Sequence, residues 1–169
     1  MKYLVFCLLL MSCYSIKTTP IKGKYQETPF EAISDNNKDF VWDKIIDLFA
    51  QKGLPIKIID RSSGLIISEP SKLTWTYEDN NGKPYEPNSY VVIQKVSYSN
   101  MKKGGLTAIV TGEWNIRIKA EAEKTRVNIN LVNIKRELAG IQNSSIPLTV
   151  GKEAVSTGVF EKIIFDLIK

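Results

Sequence analysis

The strongest constraint on the fold is a run of strict alternation over residues 106–120. Leu106, Ala108, Val110, Gly112, Trp114, Ile116, Ile118 and Ala120 take every second position, with Thr107, Thr111, Glu113, Asn115, Arg117 and Lys119 between them. Only Ile109 interrupts the polar set. A period of two sends successive side chains to opposite faces, so this strand has one buried and one wet face. Such a strand belongs in an antiparallel sheet that needs cover on one side only. Gly112, in its middle, is expected to mark a bulge or bend.

The segments around it read in the same way. After a turn over 121–124, Val127, Ile129 and Leu131 alternate with Asn128 and Asn130 as a further strand. Residues 55–60 and 65–69 flank Arg61-Ser62-Ser63-Gly64 as a hairpin, and another strand is expected over 90–98. Residues 70–88 are irregular, with Trp75 and Tyr77 extending the second hairpin strand and a turn at 80–84.

Two stretches have helical spacing instead. Over 36–52, Phe40, Val41, Ile45, Leu48 and Phe49 form an apolar stripe widened by Trp42 and Ile46. Ser34 or Asp35 is expected to cap this helix, and Gly53 suits the residue just past its end. Over 156–168 the stripe is Val159, Phe160, Ile163, Ile164, Leu167 and Ile168, with Ser156 or Thr157 as cap. These elements predict an α+β domain: a two-layer arrangement with a curved antiparallel sheet of about five strands, and the N- and C-terminal helices on one face. Trp114 falls on the core register.

With 169 residues, 43% hydrophobic and 24% charged, the chain has globular composition. It contains no histidine, and its two cysteines, Cys7 and Cys13, both lie near the start. The rest of the chain therefore has no His-based triad, no zinc site of Cys and His and no internal disulfide. No cofactor motif is present. Net charge is +5, with basic residues scattered and no run of five like charges. That pattern describes a solvated surface, not a nucleic-acid footprint. Lys17, Lys22 and Lys24 sit close enough to the start to meet anionic head groups.

The first residues are a basic n-region, a nine-residue apolar run from Tyr3 to Met11, and a small residue before cysteine. That run is too short to span a bilayer, which takes about 20 residues. Leu10-Met11-Ser12-Cys13 resembles the lipobox of bacterial lipoproteins. The resemblance implies cleavage between Ser12 and Cys13, acyl chains on Cys13 and anchoring in a membrane. Tyr14 in place of Asp after the cysteine implies the outer membrane, and Ser15-Ile16-Lys17 lacks the acidic cluster of surface-exported lipoproteins, so the anchor faces the periplasm. Residues 1–12 are then a signal peptide, 13–34 a lipid-anchored tether and 35–169 a single domain. About 20 residues of tether reach roughly 65 Å when fully extended.

The element order, with Val41-Trp42-Asp43, Gly53, Ile58-Ile59-Asp60 and Gly64-Leu65-Ile66, resembles the helix-grip domains of envelope lipoproteins, such as the lipoprotein C subunit of the β-barrel assembly machinery. That family carries two such domains and a long leader, whereas one domain is expected here, and no functional residue is carried over.

The irregular segment holds the candidate sites. Trp75, Tyr77, Tyr85 and Tyr90 can form a partner-binding loop, since aromatic side chains on a loop anchor partners. The alternative is that they plug the end of the sheet. Glu78, Asp79 and Glu86 can do acid–base work if they converge, but beside Asn, Gly and Pro they read as turn residues. No catalytic or metal-ligating residue is assigned. The leading expectation is a lipid-anchored, non-enzymatic binding or accessory component of the envelope with a protein partner. A small apolar-ligand or lipid carrier, with a pocket between sheet and helices, is the alternative.

Overall fold

In the computed structural model, residues 16–98, 108–138 and 144–169 are described. In chain order these give β1 (Ile16–Thr19), β2 (Phe30–Ser34), α1 (Lys38–Gln51), β3 (Ile56–Asp60), β4 (Leu65–Ser68), β5 (Ser71–Lys72), β6 (Trp75–Thr76), β7 (Val91–Ile93), β8 (Lys95–Tyr98), β9 (Ala108–Glu121), β10 (Lys124–Leu138), β11 (Ile146–Pro147), β12 (Ala154–Ser156) and α2 (Val159–Leu167). The described residues are thus α+β, with two helices and a mostly antiparallel, open sheet.

The long alternating strand is β9, and it pairs antiparallel with β10 along nearly its whole length. Val110, Trp114, Ile116 and Ile118 of β9 and Val127, Ile129 and Leu131 of β10 are all buried on one face. Strands β4 and β5 lie end to end along the far side of β9, while β2 and β11 share the far side of β10. With β3 outside β4, the sheet has seven strands where the sequence suggested about five. Short strands placed end to end leave no long periodic run, so composition conceals them.

The segment read as one strand over 90–98 is divided at Gln94. Strand β7 joins a three-stranded sheet in the order β12-β7-β6, whereas β8 pairs with β1. Trp75 consequently extends no hairpin strand; it lies in β6, parallel to β7 and opposite Val91.

The expected tether over 13–34 is largely structured in its described part. Strand β1 pairs with β8, and β2 pairs with β10 from Ser34 opposite Thr125 to Phe30 opposite Ile129. Phe30 is buried in the main core, which supplies the driving force. The folded body therefore begins well before residue 35. The lipobox, with Cys13 and the cleavage point, lies outside the described residues.

Helix α1 starts at an Asn37 cap whose side chain accepts from the Phe40 amide at 2.9 Å. Ser34 and Asp35 do not cap it: pairing with β10 keeps Ser34 extended, and its hydroxyl donates to the Ile168 carbonyl. Gly53 (φ +62) closes the helix, with Gly53 donating to the Ala50 carbonyl and Leu54 to that of Phe49. Val41, Trp42, Ile45, Leu48 and Phe49 are buried, while Phe40 faces outward beneath the Lys44 ammonium.

Gly112 marks a bulge, with the extra residue on the partner strand: Glu113 pairs with Val132 and Thr111 with Lys135, so Gly112 alone faces Asn133 and Ile134 of β10, where Asn133 has φ +52. A Cβ at Gly112 would lie 2.9 Å from Leu73 Cδ1 and 3.1 Å from Leu131 Cδ1, so glycine lets these two leucines close over the strand.

Candidate functional site

The aromatic residues of the irregular segment separate into different environments. Trp75 and Tyr77 meet edge to face at 5.2 Å, and the Trp75 indole donates to the Ala108 carbonyl at 3.1 Å. Tyr90 packs edge-on against Trp114 and Phe160. Only Tyr85, 60% exposed, stands out into solvent. The four side chains therefore do not form one exposed cluster.

The carboxylates hold the backbone. Glu78 accepts from the Lys22 amide at 2.7 Å and the Gly23 amide at 2.9 Å, fastening residues 22–23 to the 79–83 turn. Asp79 accepts from the amides of Asn81 and Lys83, both at 2.8 Å. The Glu86 side chain is exposed, and its amide donates to the Thr76 hydroxyl. Glu78 and Asp79 line one small pocket of about 170 Å³ with Tyr85 and Lys95, but backbone amides engage both carboxylates, and Glu86 is not among the lining residues. No cluster of three or more metal-ligating side chains occurs among the described residues.

The fastening by Glu78 creates a feature that sequence reading missed. Residues 20–28 face residues 150–156 across a cleft of about 760 Å³. Ile21, Tyr25 and Gln26 line one wall; Val150, Lys152, Val155 and Ser156 line the other. The Tyr25 hydroxyl donates to the Gly82 carbonyl, and burial with the nearby Glu78 carboxylate pushes its phenol above the usual tyrosine range. The first wall is thus tied to residues 78–82 at three points.

The second wall is a sheet edge. Strand β12 pairs with β7 on one side only. The Ala154 amide donates to the Thr149 carbonyl, and the Ala154 carbonyl accepts from Gly151, both on the side away from β7. Backbone direction alternates in an antiparallel strand, so the Ser156 N–H and C=O, two residues on, also point away from β7. There they meet no backbone partner among the described residues.

Ser156 has a second task. Its hydroxyl donates to Glu161 Oε1 at 2.6 Å and accepts from the Gly158 amide at 3.2 Å. Glu161 lies in the first turn of α2, where the helix dipole favours an acid. It is fully buried, and burial raises its carboxyl above the ordinary range while the Ser156 hydrogen bond opposes that rise. The residue at the cap itself is Gly158 (φ +84), not Ser156 or Thr157. Those two act from one and two positions earlier: Thr157 Oγ1 accepts from Val159 and donates to the Ser89 carbonyl. Sequence reading missed Glu161; the signal that could have found it is an acid inside an apolar helix stripe.

Chemically, the cleft offers apolar side chains at Ile21, Val150 and Val155 and lysines at Lys24 and Lys152, while Ser156 at its floor is buried. This combination suits an extended peptide. No helix among the described residues is long and apolar enough to cross a membrane. Compared with known proteins, the chain matches no family model and no curated protein.

Proposed function

We propose that this protein is a lipid-anchored, non-enzymatic accessory component of the bacterial outer membrane, facing the periplasm, that binds an extended segment of an envelope protein. The carrying observation is the cleft of about 760 Å³ between residues 20–28 and residues 150–156. An extended segment would find apolar contact there at Ile21, Val150 and Val155, with Lys24 and Lys152 for its polar groups. The lipobox Leu10-Met11-Ser12-Cys13 supports the anchor, and the two helices with a curved sheet support a helix-grip-like, two-layer body.

The carrier alternative needs space between sheet and helices. There Trp114 and Phe160 stack with centroids 4.1 Å apart, and Phe160 meets Phe49 edge-on at 6.4 Å. Packing at this density favours the peptide reading.

Two measurements test the proposal. Labelling with a clickable fatty acid should mark the wild type and fail with Cys13→Ala. A photo-crosslinker replacing Gln26 should join the protein to a defined peptide of an envelope partner, whereas one replacing Asp47 on the exposed side of α1 should not. Equal crosslinking from both positions would refute the cleft as the binding place.

A further inference from the structure

We infer that the β1–β8 ribbon is the surface of the domain that lies against the lipid bilayer. The inference rests on the acyl anchor at Cys13 proposed above. Three residue steps separate Cys13 from Ile16, where β1 begins, and they span at most about 11 Å. A free tether through residue 34 would have allowed several times that distance. The pairing of β1 removes that freedom.

The ribbon is fixed to the body at both strands. Strand β1 pairs with β8 through four registered residues, from Ile16 opposite Tyr98 to Thr19 opposite Lys95. Strand β8 continues from the buried strand β7 through Gln94, whose amide donates to the Glu153 carbonyl at 2.8 Å. Just beyond β1, the Glu78 carboxylate holds the Lys22 and Gly23 amides. A membrane attachment at Cys13 therefore positions the whole domain, with the outer end of the ribbon nearest the lipid.

The charges on the ribbon fit that surface. Directly opposed residues of an antiparallel pair share a face, so Lys17, Ser97, Thr19 and Lys95 lie together. Lys17 and Lys95 are exposed, and neither forms an ion pair among the described residues. Within a Debye length of about 8–10 Å, ammonium groups on this face are attracted to anionic phosphate head groups, an attraction that salt weakens.

The test uses the full chain, acylated in cells and reconstituted into vesicles of phosphatidylethanolamine and phosphatidylglycerol that carry a nitroxide head-group lipid. A bimane on Ser97→Cys reports proximity to the lipid surface. The expected result is strong quenching, reduced severalfold when a flexible linker of about 20 residues, spanning roughly 25 Å, is inserted after Tyr14. Lys17→Glu combined with Lys95→Glu should weaken quenching in these vesicles without altering the fold, as checked by circular dichroism. Equal quenching with and without the linker, in protein whose mass shows acylated Cys13, would overturn the bilayer contact while sparing the anchor. A mass showing unmodified Cys13 would overturn the anchor and this inference together.

Discussion

Ser156 donates its hydroxyl to Glu161 Oε1 at 2.6 Å across the start of α2, while Glu161 Oε2 is buried without a hydrogen-bond partner. A half-satisfied buried carboxyl makes stability depend on pH. Because burial raises its folded value above the unfolded value near 4.5, the folded state holds the proton more tightly than the unfolded chain. This group's contribution is thus complete below the unfolded value and is lost as pH rises through the folded one. Glu161→Gln removes the charge and keeps an oxygen for Ser156. It should flatten the decline in stability that sets in as pH rises past 4.5 and leave the protein about 1 kcal/mol more stable once that decline is complete, as read by urea unfolding at several pH values.

The core gives a second expectation. Phe160 is fully buried and touches the rings of Phe49, Tyr90 and Trp114. Phe160→Ala should cost about 3–5 kcal/mol, through lost burial and the cavity left behind. Chemical denaturation with an unchanged m-value would confirm a loss of packing rather than a change in the unfolded chain.

Two glycines with positive φ should respond differently to alanine. Gly64 (φ +74) closes the β3–β4 hairpin, its carbonyl accepts from the Ile118 amide at 2.8 Å, and an added Cβ would collide with the Ile118 carbonyl oxygen. Gly53 (φ +62) faces open space. Gly53→Ala should cost about 1 kcal/mol for the left-handed backbone alone. Gly64→Ala should cost clearly more, because the β4–β9 contact must also shift. Thermal melts of the two variants side by side provide the comparison.

The acid limb should carry the opposite sign from Glu161. Asp60 accepts from the Ser62 hydroxyl at 2.6 Å and from the Ser62 and Ser63 amides, and these bonds hold its carboxyl down at about 2. A depressed folded value means that its contribution is present above the unfolded value near 3.8 and disappears as pH falls toward 2. Asp60→Asn should therefore lose its difference from the wild type over that interval. Paired unfolding curves on either side of it would show the convergence.

The sequence made most of the secondary structure legible, because the long strands and both helices have clean periods. Trp114 lies in the core as its register required. What escaped reading was pairing. The seams β1–β8, β2–β10 and β6–β7 each depend on a strand of two to five residues, too short for a periodic signal, and the 90–98 run gave no hint that it serves two sheets. The aromatic loop was visible as composition, but whether each ring faces inward is decided by tertiary contacts such as the Trp75 bond to the Ala108 carbonyl. The cleft was invisible for the same reason: its two walls lie more than a hundred residues apart in the chain.

That separation also bears on how the molecule is made. Strand β2 closes against residues 125–129, and Ser34 reaches the carbonyl of Ile168. The first core strand has no permanent neighbour until residues 125–168 have emerged from synthesis. Contacts this distant in sequence slow folding, because the intervening loop must close before they form. The β2 seam therefore stays open through most of the chain's production, an interval in which chaperones or proteases can engage it.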